Sequence, residues 1–265
     1  MRARILILAV AALLPVAVSQ AQLLAPNEAG VTMGHLHVNV RDAEASKKFW
    51  AAMGGTPLKF ASFEVIKFPG VLIFLKPAEP NGGSVGSVVN HVGFQVPNVE
   101  ASINKWKAAG LKTEPGGRWP HQAFVISPDN LRIEILEDTA MKEAIASHHI
   151  HFFVSEAAIP EIKAWYAKTF GAKPGKRGDN EADDVPGENL TFSKSPTPLE
   201  PTKGRALDHI GFEIKNLEAF CKKLEASGMK FDRPYSPQVA PGLSIAFITD
   251  PWGTYIELTE GLDKL

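Results

Sequence analysis

Seven of the eight histidines in the chain fall in four short β-prone stretches. These read Gly34-His35-Leu36-His37-Val38-Asn39-Val40, Asn90-His91-Val92-Gly93-Phe94-Gln95-Val96, His148-His149-Ile150-His151-Phe152-Phe153-Val154 and Asp208-His209-Ile210-Gly211-Phe212-Glu213-Ile214. A neutral imidazole can ligate a divalent metal, and a titrating one can move a proton near pH 7. His35, His91, His149 and His209 follow one another at 56, 58 and 60 residues. Side chains on a strand alternate between faces, so His35, His37 and Asn39 share one face, as do His149, His151 and Phe153. His37 and His151 are therefore the candidate proton carriers, and orienting a neighbouring ligand is the alternative role. Two glutamates, Glu134 and Glu257, lie between apolar neighbours. Such a carboxylate is costly on an inward-facing strand unless it is charge-paired or metal-bound.

The segments that must position these groups repeat four times. Each histidine strand precedes a helical pattern: Ala43–Met53, Val99–Ala109, Pro160–Phe170 and Leu217–Ser227. Gly54, Gly110, Gly171 and Gly228 follow the helices, the expected stop signal. Histidine and glycine are 19 residues apart in three repeats and 22 in the third, which places a small insertion near Glu156–Ala158. Short β-prone runs then follow, such as Phe63–Phe68, Val71–Lys76, Ser244–Thr249 and Thr254–Thr259. The chain reads as α+β, four βαβββ modules paired into two open β-cups. Gly175–Glu188 reads as an exposed polar loop. Trp50, Trp106, Trp165 and Tyr166 read as helix residues packed on the sheets.

With 265 residues, 45% of them apolar, 22% charged and a net charge of −1, the composition is globular and offers no basic stripe for nucleic acid. Arg2 and Arg4, the apolar run Ile5–Val18 and the small residues Ser19 and Ala21 have the layout of a secretory signal peptide. The expected division is a signal peptide at 1–21, an N-terminal domain at 22–138 (modules one and two), a linker at 139–147 and a C-terminal domain at 148–265 (modules three and four). The chain is expected to be exported, periplasmic or secreted, with no stable membrane span after the signal is removed. A homo-oligomer is left open. The lone cysteine, Cys221, sits in an amphipathic helical stretch and reads as buried.

This repeated module resembles the vicinal oxygen chelate superfamily, which includes glyoxalase I, extradiol dioxygenases and bleomycin-resistance proteins. The resemblance covers about residues 33–262 and implies the glyoxalase/dihydroxybiphenyl dioxygenase-like fold. It takes metal ligands from the first and last strands of each module. The last strands then contribute Phe74, Glu134, Phe192 and Glu257, so each half would offer two histidines and one carboxylate. These sets are His35, His91 and Glu134 in the N-terminal half and His149, His209 and Glu257 in the C-terminal half. One divalent metal is implied, Fe(II) favoured, Mn(II) or Zn(II) alternatives, with a second site open. Four modules in one chain look most like the type I extradiol dioxygenases, whose metal would lie in the C-terminal set. The catalytic tyrosine of those enzymes falls at Phe247, with Phe124 as its counterpart in the second module. A phenylalanine cannot donate that hydrogen bond, which puts ordinary catechol cleavage in doubt. Phe247, Phe192 and Phe74 are the expected pocket residues. The implied function is an exported metal-dependent enzyme on a small substrate with vicinal oxygens, leaning to dioxygenase-like. The alternatives are a glyoxalase-, isomerase- or lyase-type enzyme and a non-catalytic binding protein.

Overall fold

The computed structural model describes residues 23–265, so the segment read as a signal peptide, 1–21, lies outside the described residues. Among the described residues no helix is long and apolar enough to cross a membrane. Each repeat forms a strand, a helix and three further strands. The first module runs β1 (Val31–Val40), α1 (Ala43–Met53), β2 (Thr56–Phe60), β3 (Phe63–Phe68) and β4 (Val71–Pro77). The second runs β5 (Val89–Val96), α2 (Val99–Ala108), β6 (Lys112–Pro115), β7 (Gln122–Ile126) and β8 (Arg132–Glu137). The third runs β9 (Ala146–Val154), α3 (Ile159–Phe170), β10 (Lys173–Arg177), β11 (Asn180–Val185) and β12 (Glu188–Lys194). The fourth runs β13 (Leu207–Ile214), α4 (Leu217–Ala226), β14 (Arg233–Ala240), β15 (Leu243–Thr249) and β16 (Tyr255–Glu260).

Local chemistry sets the helix ends. Asp42, Asn98 and Asn216 each accept backbone N–H groups of the first turn, which satisfies donors that a helix start otherwise leaves free. Gly54 ends α1 with φ 115°, a left-handed conformation that favours glycine. The third module enters its helix differently, through a single 3-10 turn, Glu156–Ala158, at the position of the extra residues. The stretch 175–188 is not a loop: β10 and β11 form a hairpin there, and Ala182 and Val185 turn inward. Its polar composition conceals a strand because one face carries polar groups into a cup, as described below.

The sheets join modules in an order that the repeat does not reveal. One sheet runs β14-β15-β16-β13-β1-β4-β3-β2 and the other β10-β11-β12-β9-β5-β8-β7-β6. Module one thus shares a sheet with module four, and module two with module three. The division into 22–138 and 148–265 cuts across both sheets. At one seam β1 and β13 are antiparallel, with His35 opposite Gly211 and His37 opposite His209. At the other, β5 and β9 set Gly93 opposite His149 and His91 opposite His151. Both glycines make room for an imidazole: a Cβ on Gly211 would lie 2.0 Å from the His35 ring, and one on Gly93 would lie 1.9 Å from the His149 ring.

The helices and the backs of the sheets share one apolar core drawn from all four modules. Trp50 of α1 touches Phe68 of its own sheet and Phe94 of the other, at ring-centroid distances of 5.9 and 6.3 Å. Phe170 of α3 meets Phe212 of the opposite sheet at 4.5 Å. Cys221 is buried in this core, and burial pushes its thiol up to about 11.

Candidate metal centres

Each seam gathers four donors. His35 and His37 of β1, His209 of β13 and Glu257 of β16 place one ligand atom each within 4.8 Å of all the others. His149 and His151 of β9, His91 of β5 and Glu134 of β8 do the same in the second sheet. All eight side chains are buried. The parallel pairing of β16 with β13, and of β8 with β5, brings each glutamate beside its histidine strand.

The first cluster converges on one oxygen. His35 Nε2 and His209 Nε2 each lie 2.9 Å from Glu257 Oε2. On its other side the His209 ring donates from Nδ1 to Asp208 Oδ2 at 2.7 Å, and Asp208 accepts from the Gly204 backbone N–H and from Asn39. Burial opposes charge on Glu257, yet the hydrogen bonds from His209 and His35 hold its carboxyl far below the usual range. Burial likewise opposes charge on His209, but Asp208 and Glu257 together raise it. His35 and His37 are lowered, chiefly by burial.

The second cluster has the same plan with other neighbours. Glu134 Oε2 lies 2.9 Å from His149 Nε2 and 3.5 Å from His91 Nε2. Asn90, not an aspartate, contacts His91 Nδ1, and His148 contacts His149 Nδ1. Burial pushes His149 down to about 3, and it lowers His91 and His151 as well. Burial thus pushes His37, like His151, below the ordinary imidazole range.

The donors of the second cluster fit a metal ion better than they fit one another. Although His149 Nε2 and Glu134 Oε2 are 2.9 Å apart, their alignment makes no hydrogen bond, and both atoms are buried without a hydrogen-bond partner. His37 Nε2 is orphaned in the same way. Orphaned buried polar atoms are rare and call for an explanation. Two ligands about 2.1 Å from one ion, and at right angles to each other, stand about 3 Å apart. Imidazole nitrogen with carboxylate oxygen suits Fe(II), Mn(II) or Zn(II).

The comparisons with known proteins fall in line with this geometry. The family model of the Glyoxalase/Bleomycin resistance protein/Dioxygenase superfamily matches residues 146–258. Over that stretch, the third and fourth modules, the chain is similar to this superfamily. A lactoylglutathione lyase from Schizosaccharomyces pombe is 22% identical over 203 residues, which cover 64% of this chain and 66% of that protein. Glyoxalase I from Zea mays is similar in structure, with a TM-score of 0.69 at 18% identity over 88% of this chain and 94% of the other. A presumed dioxygenase from Bacillus subtilis gives a TM-score of 0.67 at 14% identity, covering 86% and 84%.

The clusters depart from the expected ligand grouping. All six predicted ligands lie in the clusters, but the sets His35/His91/Glu134 and His149/His209/Glu257 do not form. The first cluster joins His35 to His209 and Glu257, and the second joins His149 to His91 and Glu134. The physical reason is the sheet pairing, which puts modules three and four in different sheets.

Two expected pocket residues lie beside the first cluster: Phe74 packs 5.1 Å from the His35 ring, and Phe247 lies 5.4 Å from His209. Phe192 does not. It pairs with Phe152 and packs on Tyr166 in the core, while Thr191, opposite His151, takes the position of Phe74. Sequence reading missed Arg177, Arg132 and Gln122. Arg177 donates to Thr191 Oγ1 at 2.7 Å and lies 3.9 Å from Glu134 Oε2. Arg132 sits 3.6 Å over the Phe124 ring, and Gln122 donates to Glu134. The signal for Arg132 was its place two residues before Glu134, on the same face; nothing in the sequence pointed to Arg177. His121, outside both clusters, pairs with Glu137 at the surface.

Proposed function

We propose that the chain is a divalent-metal-dependent enzyme of the glyoxalase or lyase type, acting on a small substrate with two adjacent oxygens. The observation that carries this reading is the twice-repeated set of two histidines and a glutamate, with His149 Nε2 and Glu134 Oε2 of the second set, and His37 Nε2 beside the first, buried without a hydrogen-bond partner. His35, His209 and Glu257 would hold one ion; His149, His91 and Glu134 would hold a second. A bound ion supplies Lewis acidity to the substrate oxygens. The chain's own residues do the rest. Asp208 orients His209 and strengthens it as a ligand, and the apolar wall of the first cup keeps water from its donors. His37 and His151, held neutral, each present a lone pair toward the cluster. We assign them as a fourth donor rather than as proton carriers.

The dioxygenase-like reading loses ground to the lyase-type one because the set it requires, His149 with His209 and Glu257, spans two sheets, and because Phe247 and Phe124 stand where a tyrosine is required. We also propose that residues 1–21 direct export to the periplasm or beyond. Intact mass of the protein recovered from a cell envelope fraction, short by those residues, is the expected result; full-length protein in the cytosol would refute export.

Metal analysis after reconstitution with Fe(II), Mn(II) or Zn(II) tests the main reading. Wild type should hold two ions per chain, and Glu257→Gln and Glu134→Gln should hold one each. Thioester formation with the lactoylglutathione couple then tests the lyase assignment. No uptake of any of these metals would sink the enzyme reading.

A further inference from the structure

The two cups share a backbone plan but not a lining. The strand registers allow position-by-position comparison, since Phe60 and Phe63 close the hairpin of module one as Arg177 and Asn180 close that of module three. By the same registers Phe74 corresponds to Thr191 and Leu72 to Asn189. Between the even modules, Ile245 corresponds to Gln122 and Tyr255 to Arg132, flanking the equivalent residues Phe247 and Phe124. Every one of these changes runs in one direction. The first cup is lined by an apolar cluster that contains Val65, Leu72, Phe74, Leu243 and Ile245. The second is lined by amides, a hydroxyl and two guanidinium groups.

Charge follows the same division. In the first cluster Glu257 and Asp208 together match a divalent ion. In the second the place of Asp208 is taken by the neutral Asn90, and Arg177 adds positive charge beside Glu134 and Arg132 near His91. Arg177 reaches over from the edge strand β10, with one guanidinium nitrogen 3.4 Å from His151 Nδ1. Arg132 approaches from the opposite side on β8, and its buried Nε has no hydrogen-bond partner. An ion in this cluster would leave the cup with surplus positive charge, which an anionic ligand would neutralise. The short reach from Arg177 to the donors sets the size of that ligand: its anionic group must lie on the carbon next to the one carrying the chelating oxygen.

Building on the metal-enzyme reading above, we propose that the cup of modules two and three takes a small 2-oxy acid, a carboxylate with a hydroxyl or carbonyl oxygen on the adjacent carbon. Arg177 and Arg132 clamp its carboxylate. The cup of modules one and four, with the same donors and no such clamp, discriminates against that anion. A guanidinium–carboxylate pair is directional and charge-assisted, which makes arginine the suitable residue.

Cobalt(II)-loaded protein tests this with glycolate as the anionic probe and catechol as the uncharged one, both read from the visible spectrum of the ion. Glu257→Gln isolates the second cluster and Glu134→Gln the first. Glycolate should perturb the cobalt spectrum of Glu257→Gln protein and leave that of Glu134→Gln protein unchanged. Adding Arg177→Gln to the former should weaken glycolate by about tenfold or more, the loss expected for a hydrogen bond to a charged group, and leave catechol and the metal content unchanged. Equal glycolate binding in both single-cluster proteins, or no effect of Arg177→Gln, overturns the proposal. Should wild type take up no cobalt, the metal reading itself fails, and calorimetric titration of the metal-free chain with glycolate decides. Heat lost in Arg177→Gln supports the arginine clamp, and equal heat or none overturns it.

Discussion

His209 and His91 hold equivalent places, yet their neighbours separate them. Burial opposes charge on both, but Asp208 and Glu257 raise His209, whereas His91 has the neutral Asn90 in the place of Asp208 and is lowered further by Arg132 and Arg177. Replacing Asp208 by Asn should make the first cluster resemble the second, weakening metal there by about 10–100-fold. Competition with a chelator reads this, and unchanged affinity would remove Asp208 from the site. Away from the clusters, Glu188 is buried and accepts one hydrogen bond from Ser147; burial pushes its carboxyl up to about 8. The folded state thus keeps a proton that the unfolded chain gives up from about 4.5. The contribution of Glu188 to stability is full below that pH and is lost as pH rises through about 8. Glu188→Gln should flatten this part of the profile and gain stability at pH 8, measured as urea midpoints across the range. Parallel profiles for the two proteins would refute it. At this scale the sequence was informative: all six expected ligands sit in the clusters, because histidine and glutamate among apolar residues leave a strong signal. Arg177 left none, since an arginine near a hairpin turn looks like any solvated charge.

Among the elements, the seam strands fit as complements. Odd modules carry His-x-His and even modules His-x-Gly, so each imidazole of one strand meets the missing side chain of the other. Gly211→Ala or Gly93→Ala should force ring and strand apart, at a cost of about 1–3 kcal/mol of the overpacking kind. Each should also lose metal from its own cluster alone. Denaturant unfolding with metal analysis checks both, and a variant as stable as wild type that still holds two ions would overturn the steric account. Three of the expected helices lie within one residue at each end of those observed, and the first coincides, because caps and terminal glycines are local signals. The strands were harder. In β12 both faces are buried, so the alternation of Leu190 and Phe192 with Thr191 and Ser193 marks two faces without saying which is the cup. Phe192 was therefore placed on the wrong side. The hairpin at 175–188 was hidden for a related reason, as its inner face carries Arg177 and Asn180.

For the molecule as a whole, the two sheets are each built from both ends or from the middle of the chain. Either even module offers the same complementary strand to an odd one, so the repeat alone cannot decide between neighbours and the crossed arrangement. Contacts between the sheets decide it, such as Met33 N–H to Pro186 O, Ser147 N–H to Pro69 O and the Arg205 guanidinium on Gly83 O and Val85 O. The crossed arrangement predicts that a chain cut within 139–145 yields two fragments that co-purify and regain both metal sites together. Fragments that fold and bind metal separately, without associating, would contradict it. The crossing also changes what an ion at the first cluster would do beyond chemistry. His35 and Glu257 are 222 positions apart, whereas His91 and His151 are 60 apart. A metal bridging the former pair would staple the chain nearly end to end, confining its unfolded state by about 1 kcal/mol more than the shorter closure does. In a protein whose single cysteine can form no internal crosslink, that ion would be the longest-range covalent-like tie available.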